Sequence, residues 1–209
     1  MVSIKVEKYL EVGGANKLFS FACTLESGSA LGITGPSGCG KTSLLKMISG
    51  LMSPRSAEVS IGQVILTDTR KGIEVPLDKR EVAMVFQAQA LFPNMTIAQH
   101  IQFINKGVQE SEIERMLHRL QLDEQLFTFP DKLSGGQKQR LAILLALVSC
   151  PKILLLDEPF TALDDLMRAE VITLLKNYVK DRNLPIILVS HQIQILEQFC
   201  EQLIKLPAL

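Results

Sequence analysis

The chain opens on two stretches in which apolar and polar side chains alternate, "SIKVEKYLEV" and "FSFACTLES", separated by "GGANK". A period of two is that of a strand with one buried face, and the intervening glycines mark a turn. A short apolar run, "ALGIT", then leads into the glycine-rich "GPSGCGKTS", after which "KTSLLKMISGL" has helical spacing. "AEVSIGQVILTD" and "EVAMVFQ" read as further strands. From residue 93 the pattern becomes helical, as in "SEIERMLHRLQL", where Ile113, Met116, Leu117 and Leu120 share one face. Strand and helix then alternate: a helix from Ser134, the strand "KILLLDEP", a helix after Asp164, the strand "PIILVSH", and a last helix. Short, uninterrupted apolar strands between helices indicate a sheet buried on both faces. The predicted fold is therefore α/β. It has a mostly parallel sheet core, an antiparallel N-terminal β region and an inserted small helical subdomain. We place the core at about residues 1–92 and 137–209 and the helical subdomain at about 93–136, within one domain.

Composition narrows the setting. A chain of 209 residues with 47% hydrophobic and 21% charged residues can bury one sizeable core. Lys+Arg 22 balances Asp+Glu 22, which leaves no basic field to hold nucleic acid or an anionic membrane surface. A role at a membrane would need a protein partner to bring the chain there. Cys23, Cys39, Cys150 and Cys200 form no CxxC pattern, and the first residues contain no signal-peptide core. The most apolar stretch, "LAILLALVSCPKILLL", is interrupted by Pro151 and Lys152 and falls short of the roughly 20 residues a bilayer span needs. A soluble chain of a reducing compartment is the expectation.

The glycine-rich stretch carries the first chemistry. Gly35, Gly40, Lys41 and Thr42 satisfy G-x-x-x-x-G-K-[ST] between a predicted strand and a predicted helix, the context this phosphate-binding loop requires. Along Gly35, Pro36, Ser37, Gly38, Cys39, Gly40, Lys41, Thr42 and Ser43, backbone N–H groups can curl around a phosphate at a helix amino terminus. Lys41 would reach the β- and γ-phosphates and the Thr42 hydroxyl would ligate Mg²⁺. The competing reading is a glycine turn that happens to precede a helix. "ILLLDEP" ends a buried strand in two acids: Asp157 is placed to hold the Mg²⁺ shell, and Glu158 to orient and deprotonate an attacking water. Capping of the next helix is the alternative for either acid. His191 in "ILVSHQ" and Gln87 in "MVFQAQ" end two further strands. His191 is read as catalytic against a plain loop histidine, and Gln87 as an amide oxygen offered to Mg²⁺ or the water.

"LSGGQKQR" looks like a second anion site. Ser134 and Gln137 satisfy an S-x-x-Q capping box, which accounts for two of its residues. It does not account for Gly135 and Gly136, each of which destabilises a first helical turn by up to about 1 kcal/mol relative to alanine. Bare N–H groups there make sense if an anion approaches closely. Since one loop already cradles a nucleotide, this second site is expected to serve another subunit's nucleotide in a head-to-tail dimer.

In these motifs the sequence resembles the nucleotide-binding subunits of ATP-binding cassette (ABC) transporters, nearly end to end. "GPSGCGKTS" resembles the family's Walker A, "VFQ" its Q-loop, "LSGGQKQR" its signature, "ILLLDEP" its Walker B, "TALD" its D-loop and "VSHQ" its switch histidine. The resemblance implies a P-loop NTPase in which two subunits sandwich two ATP–Mg²⁺. Ser134, Gly135, Gly136 and Gln137 then act in trans, and Asp164 meets the opposite subunit. It implies an ATPase at the inner face of the cell membrane, cytoplasmic and peripheral, serving an integral membrane permease that docks near "ALFPNMTIAQHI", and indirectly a solute-binding protein. "GQVILTDTRKGIEVPLDKREVAMVFQ" is most similar to the molybdate-importer group, with thiamine, iron, polyamine and lipoprotein-release systems as alternatives beside a soluble non-transport cassette. The chain departs from the family's pattern at Leu144 and Leu145, where an alanine–arginine pair is usual, and at Thr161. It is expected to lack the family's final hairpin and a C-terminal regulatory domain. No aromatic occupies the usual adenine-stacking place, for which Tyr9 is the candidate.

Overall fold

The computed structural model describes every residue except Gln89. Strands β1 (Val2–Val12) and β2 (Ala15–Leu25) form a hairpin eleven residues a side. Its turn is only Gly13–Gly14, both at positive φ, so β2 already begins within "GGANK", at Ala15. Strand β3 (Ala30–Thr34) leads through the glycine loop into helix α1 (Lys41–Ser49). Next come β4 (Ser56–Ile61), β5 (Val64–Asp68), the two-residue β6 (Ile73–Glu74) and β7 (Val82–Val85). Helices α2 (Ile97–Ile104) and α3 (Glu110–Arg119) follow, then α4 (Gly135–Val148), β8 (Ile153–Asp157), α5 (Asp165–Arg182), β9 (Ile186–Val189), α6 (Ile193–Phe199) and β10 (Gln202–Lys205).

The strands sort into two sheets, an antiparallel one in the order β2-β1-β4-β5-β6 and a parallel one in the order β10-β3-β9-β8-β7. Alternation along the parallel strands feeds two cores. Ile153 and Leu155 of β8 and Ile187 and Val189 of β9 pack toward α1 and the antiparallel sheet. Leu154 and Leu156, with Ile186 and Leu188, pack toward α4, α5 and α6. Ile97, Ile101, Ile113, Met116 and Leu117 of α2 and α3 join that second cluster, so the helical insertion is continuous with the core beneath it.

Two elements differ from expectation. Strand β10 follows the last helix and pairs with β3 at the sheet edge. Its four residues are largely exposed, and so short an edge strand has little hydrophobic pattern to read. The pair β5–β6 is closed by only two residue pairs, too few to register as an alternating stretch.

All five strands of the second sheet are parallel, so their carboxyl ends line one edge. At that edge the chain leaves β3 for the glycine loop, β7 for Gln87, β8 for Glu158 and β9 for His191. An open parallel sheet offers its ligand site there.

Candidate active site

The glycine loop is shaped by close approaches. Gly40 caps α1 at φ 94, and a Cβ there would meet Phe19 of β2 at 2.8 Å. A Cβ on Gly35 would meet the carbonyl oxygen of Leu206, just beyond β10, at 2.8 Å. The Leu206 amide in turn donates to Thr34 O at 2.8 Å. Lys41 is buried, its ammonium donating to the carbonyls of Gly35 and Pro36 at 2.9 Å each. It therefore closes the loop on itself and stands ready beside any phosphate that enters.

Asp157 and Glu158 end β8. Asp157 Oδ2 accepts the Thr42 hydroxyl at 2.8 Å, which joins the strand to the start of α1. Glu158 is 6% exposed and adopts φ 49, a left-handed conformation unfavourable for a residue with a Cβ. The fold holds it there from several sides. Its amide donates to Val189 O at 3.0 Å, its Oε1 accepts the His191 amide at 2.8 Å, and its Oε2 accepts the Ser190 hydroxyl at 3.2 Å. Thr161 Oγ1 donates to the Glu158 carbonyl at 3.1 Å. Burial pushes the Glu158 carboxyl above the usual carboxylate range, and the charge of Asp157 adds to this. Proximity to His191 and the bonds from Ser190 and His191 oppose the shift. The His191 ring is more than half exposed, with Nε2 3.6 Å from Glu158 Oε1, too far for a hydrogen bond.

These groups line one cavity of about 410 Å³. Its walls include Ser37, Gly38, Gly40, Lys41, Thr42, Ser43, Gln87, Asp157, Glu158 and His191, residues the sequence singled out. Gly35, Pro36 and Cys39 are not among the lining residues: the first two supply carbonyls to Lys41, and Cys39 is buried behind the loop. Sequence reasoning missed Ser190, although "VSH" places its hydroxyl beside His191. It also missed Leu10, Glu11, Val12, Thr161 and Gln192, which complete the lining. Leu10 to Val12 read only as strand, because nothing in the alternation says that the end of β1 stands over the glycine loop.

Tyr9 does not line the cavity. Its hydroxyl accepts Arg55 Nη1 at 2.8 Å, and the Arg55 guanidinium lies 4.8 Å from its ring centroid. The aromatic is thus engaged by Arg55, and β1 lines the cavity with Leu10, Glu11 and Val12 instead.

The "LSGGQ" residues are absent from the cavity lining as well. Ser134 caps α4 in a complete capping box: its Oγ accepts the Gln137 amide at 3.2 Å, and Gln137 Oε1 accepts the Ser134 amide at 2.8 Å. The two glycines separate here. A Cβ on Gly136 would come 2.9 Å from the Ala162 carbonyl oxygen, so that glycine is required by the chain's own packing. A Cβ on Gly135 would meet nothing within 4 Å, so internal packing gives no reason for glycine there. Asp164 caps α5, accepting the Met167 amide at 2.9 Å, and so takes the helix-capping role that was the alternative for Asp157 and Glu158.

Other chemistries find little support. Burial pushes the Cys23 thiol up to about 11 and the Cys200 thiol up to about 12, which keeps both protonated near neutrality. Among the described residues no cluster of three or more His, Cys, Asp or Glu could hold a metal by itself. Thr42 and Asp157 offer two hard oxygens side by side. That set suits Mg²⁺, which takes one or two protein oxygens and fills its octahedron with water and phosphate.

The profile of the ABC transporter family matches residues 18–161, which include the glycine loop, Gln87, "LSGGQ", Asp157 and Glu158. The chain belongs to the ABC transporter family. Its similarity to curated members extends further along the sequence. The thiamine import ATP-binding protein ThiQ of Escherichia coli (strain UTI89 / UPEC) is 37% identical over 180 residues, 83% of this chain and 75% of ThiQ. The molybdenum import ATP-binding protein ModC of Vibrio parahaemolyticus is 35% identical over 193 residues, 92% of this chain and 52% of ModC. The spermidine/putrescine import ATP-binding protein PotA of Nitrosospira multiformis is 41% identical over 185 residues, 86% of this chain and 49% of PotA. The chain spans about half the length of the latter two. Among solved structures, the dimeric ABC transporter cassette MJ0796 superposes with a TM-score of 0.79 at 30% identity, covering 99% of this chain and 94% of that one. MJ0796 in a post-hydrolysis state with ADP and Pi gives 0.78. The chain is an ABC ATPase with a mixed α/β P-loop fold, and its relatives are importer subunits. Among the described residues no helix is long and apolar enough to cross a membrane.

Proposed function

We propose that the chain binds and hydrolyses ATP–Mg²⁺ in the cavity at the carboxyl edge of its parallel sheet, and that this drives an integral membrane permease. One observation carries the reading: Lys41, Thr42, Asp157, Glu158 and His191, from three separate segments, line a single cavity. Lys41 exchanges its two carbonyl partners for β- and γ-phosphate oxygens, and the loop amides of residues 35–43 hold the rest of the phosphate chain. Thr42 and Asp157 hold Mg²⁺, with Gln87 offering its amide oxygen to the same shell or to the water. The cation supplies charge neutralisation along the phosphates when bound. Glu158 orients the attacking water and accepts its proton, a task its raised pKa suits. His191, which lines the same cavity with Nε2 3.6 Å from Glu158 Oε1, is assigned to the γ-phosphate.

The chain's own "LSGGQ" does not reach its own cavity. We assign Ser134, Gly135, Gly136 and Gln137 to the nucleotide of a second, identical subunit, with Asp164 at the same interface. The dimeric state of MJ0796 supports this arrangement. Gly135 gives the test. Gly135→Ala should leave the isolated fold intact and raise its stability by up to about 1 kcal/mol, because it removes a helical glycine without a clash. ATP hydrolysis should nevertheless fall about tenfold or more as the added methyl holds off the facing phosphate. A stabilised variant with full activity would sink the trans role.

The chain has a core over about residues 1–92 and 137–209 and a helical subdomain over about 93–136. We place it at the inner face of the cell membrane, held there by its permease and served indirectly by a solute-binding protein. Import is the direction favoured by ThiQ, ModC and PotA, whose solutes are chemically unlike one another. A small oxyanion such as molybdate is the solute we favour. Co-purification of the tagged chain from detergent-solubilised native membranes should bring down a multi-span permease. Recovery of soluble partners alone would overturn the transport reading in favour of a non-transport ATPase.

A further inference from the structure

His100 is the most completely buried polar side chain of the helical segment, with 0% exposure, and the active site does not use it. It sits at the end of the first turn of α2. Its Nδ1 lies 2.8 Å from the Thr96 carbonyl oxygen, and its Nε2 accepts the Phe92 amide at 3.0 Å. A carbonyl can only accept, so Nδ1 carries the proton and Nε2 presents its bare lone pair. One ring thereby ties both ends of the turn from Phe92 to Thr96, a turn otherwise closed by Met95 N–H to Phe92 O at 3.2 Å. Thr96 is also the N-cap of α2, in a capping box with Gln99.

The position of this tie in the chain gives it meaning. Gln87, which lines the nucleotide cavity, is five residues before Phe92. Beyond the tie, the Phe92 ring lies 5.9 Å from His100 and 5.8 Å, edge-on, from Phe103 of α2. Both phenylalanines are open to solvent, at 50% and 66%. The chain therefore leaves the cavity, meets a fixed point at His100 and displays an aromatic pair on the surface. Without that point, the turn would keep only the bond from the Met95 amide to the Phe92 carbonyl.

We infer that His100 is a positioning residue whose Nε2 staples the segment leaving the cavity at Gln87 onto α2, so that nucleotide occupancy is felt at the Phe92–Phe103 surface. This rests on the reading of the cavity as a nucleotide site. His100 touches neither substrate nor reacting atoms. Its chemical requirement is an acceptor at the Nε2 position, which a buried apolar side chain of similar size cannot meet.

Amide hydrogen exchange and NMR on the full chain test it. In the wild type the Phe92 amide should be protected, and the His100 Nε2 ¹⁵N resonance should be that of an unprotonated acceptor nitrogen. His100→Leu should speed exchange at Phe92 by about tenfold or more, since the amide loses its partner. His100→Gln, whose side-chain oxygen reaches the Nε2 position, should restore protection. ADP–Mg²⁺ should shift the Phe92 and Phe103 resonances in the wild type and in His100→Gln, but not in His100→Leu, while ADP affinity stays the same in all three. An unprotected Phe92 amide in the wild type, or a His100→Leu variant that keeps both protection and the ADP-dependent shift, would overturn the staple. Failure of the wild type to bind ADP would instead overturn the nucleotide reading. The exchange comparison, which needs no nucleotide, would still decide the role of His100.

Discussion

Lys41→Ala should abolish measurable nucleotide binding while leaving the fold largely intact. Its ammonium is buried among loop carbonyls, held 2.9 Å from Gly35 O and 2.9 Å from Pro36 O. Charge-assisted hydrogen bonds contribute about 1.5–3 kcal/mol each. Losing two of them to phosphate removes on the order of a hundredfold or more in affinity. Two effects make the real loss larger. The phosphates enter a partly enclosed site without the ammonium charge, and the two carbonyls that Lys41 satisfied are left without it. Calorimetric titration with ATP–Mg²⁺ reads the result directly. Retained tight binding would mean that the loop amides alone hold the nucleotide, and the role given to Lys41 would be wrong.

Glu158→Gln separates binding from chemistry. The amide keeps the size of the side chain and can still meet the Ser190 hydroxyl and the His191 amide, but it cannot take a proton from water. General-base catalysis contributes typically 10²–10⁴-fold, so turnover should drop by about that range. Nucleotide should then remain bound, and light scattering with ATP–Mg²⁺ should record an accumulating dimer. A monomer at saturating ATP would count against the shared site. The pH behaviour follows from the direction of the pKa shift. Burial raises the folded-state pKa of Glu158 above its unfolded value, so ionising it opposes folding. Its contribution to stability is fully present below the unfolded pKa and is lost as pH rises through the folded one. Near neutrality Glu158→Gln should therefore melt at or above the wild-type temperature. The wild-type rate should fall toward acid at a higher pH than an ordinary carboxylate would impose, because the base must be ionised to work.

The motifs stand out in the sequence because phosphate binding needs backbone as much as side chain. Glycines, Lys41 and Thr42 between strand and helix leave few other readings, and "ILLLDEP" carries its acids at the end of an unmistakably buried strand. The order of the strands was not legible. Nothing local says that β4 and β5 join the first hairpin while β7 joins the parallel sheet, since that choice depends on which faces find a partner core. Strand β10 was missed for a similar reason: an exposed edge takes its register from β3, not from its own pattern. At "LSGGQ" the sequence offered one explanation for two glycines, and the structure divides them. Gly136 answers to the carbonyl of Ala162 inside the chain, and Gly135 to no internal contact. Tyr9 shows the limit of reasoning from residue type, since the aromatic is engaged by an arginine 46 positions away.

The left-handed backbone at Glu158 has a consequence for how this sequence can drift. Glycine would adopt φ 49 without steric penalty and would bury no charge, so the most easily folded residue at that place is one that cannot accept a proton. Copies of the chain freed from the need to work, and filtered only for solubility and lifetime, would be expected to abandon the acid early and keep the sheet beneath it. On that backbone the glutamate is explained by its chemistry and not by the stability of the fold.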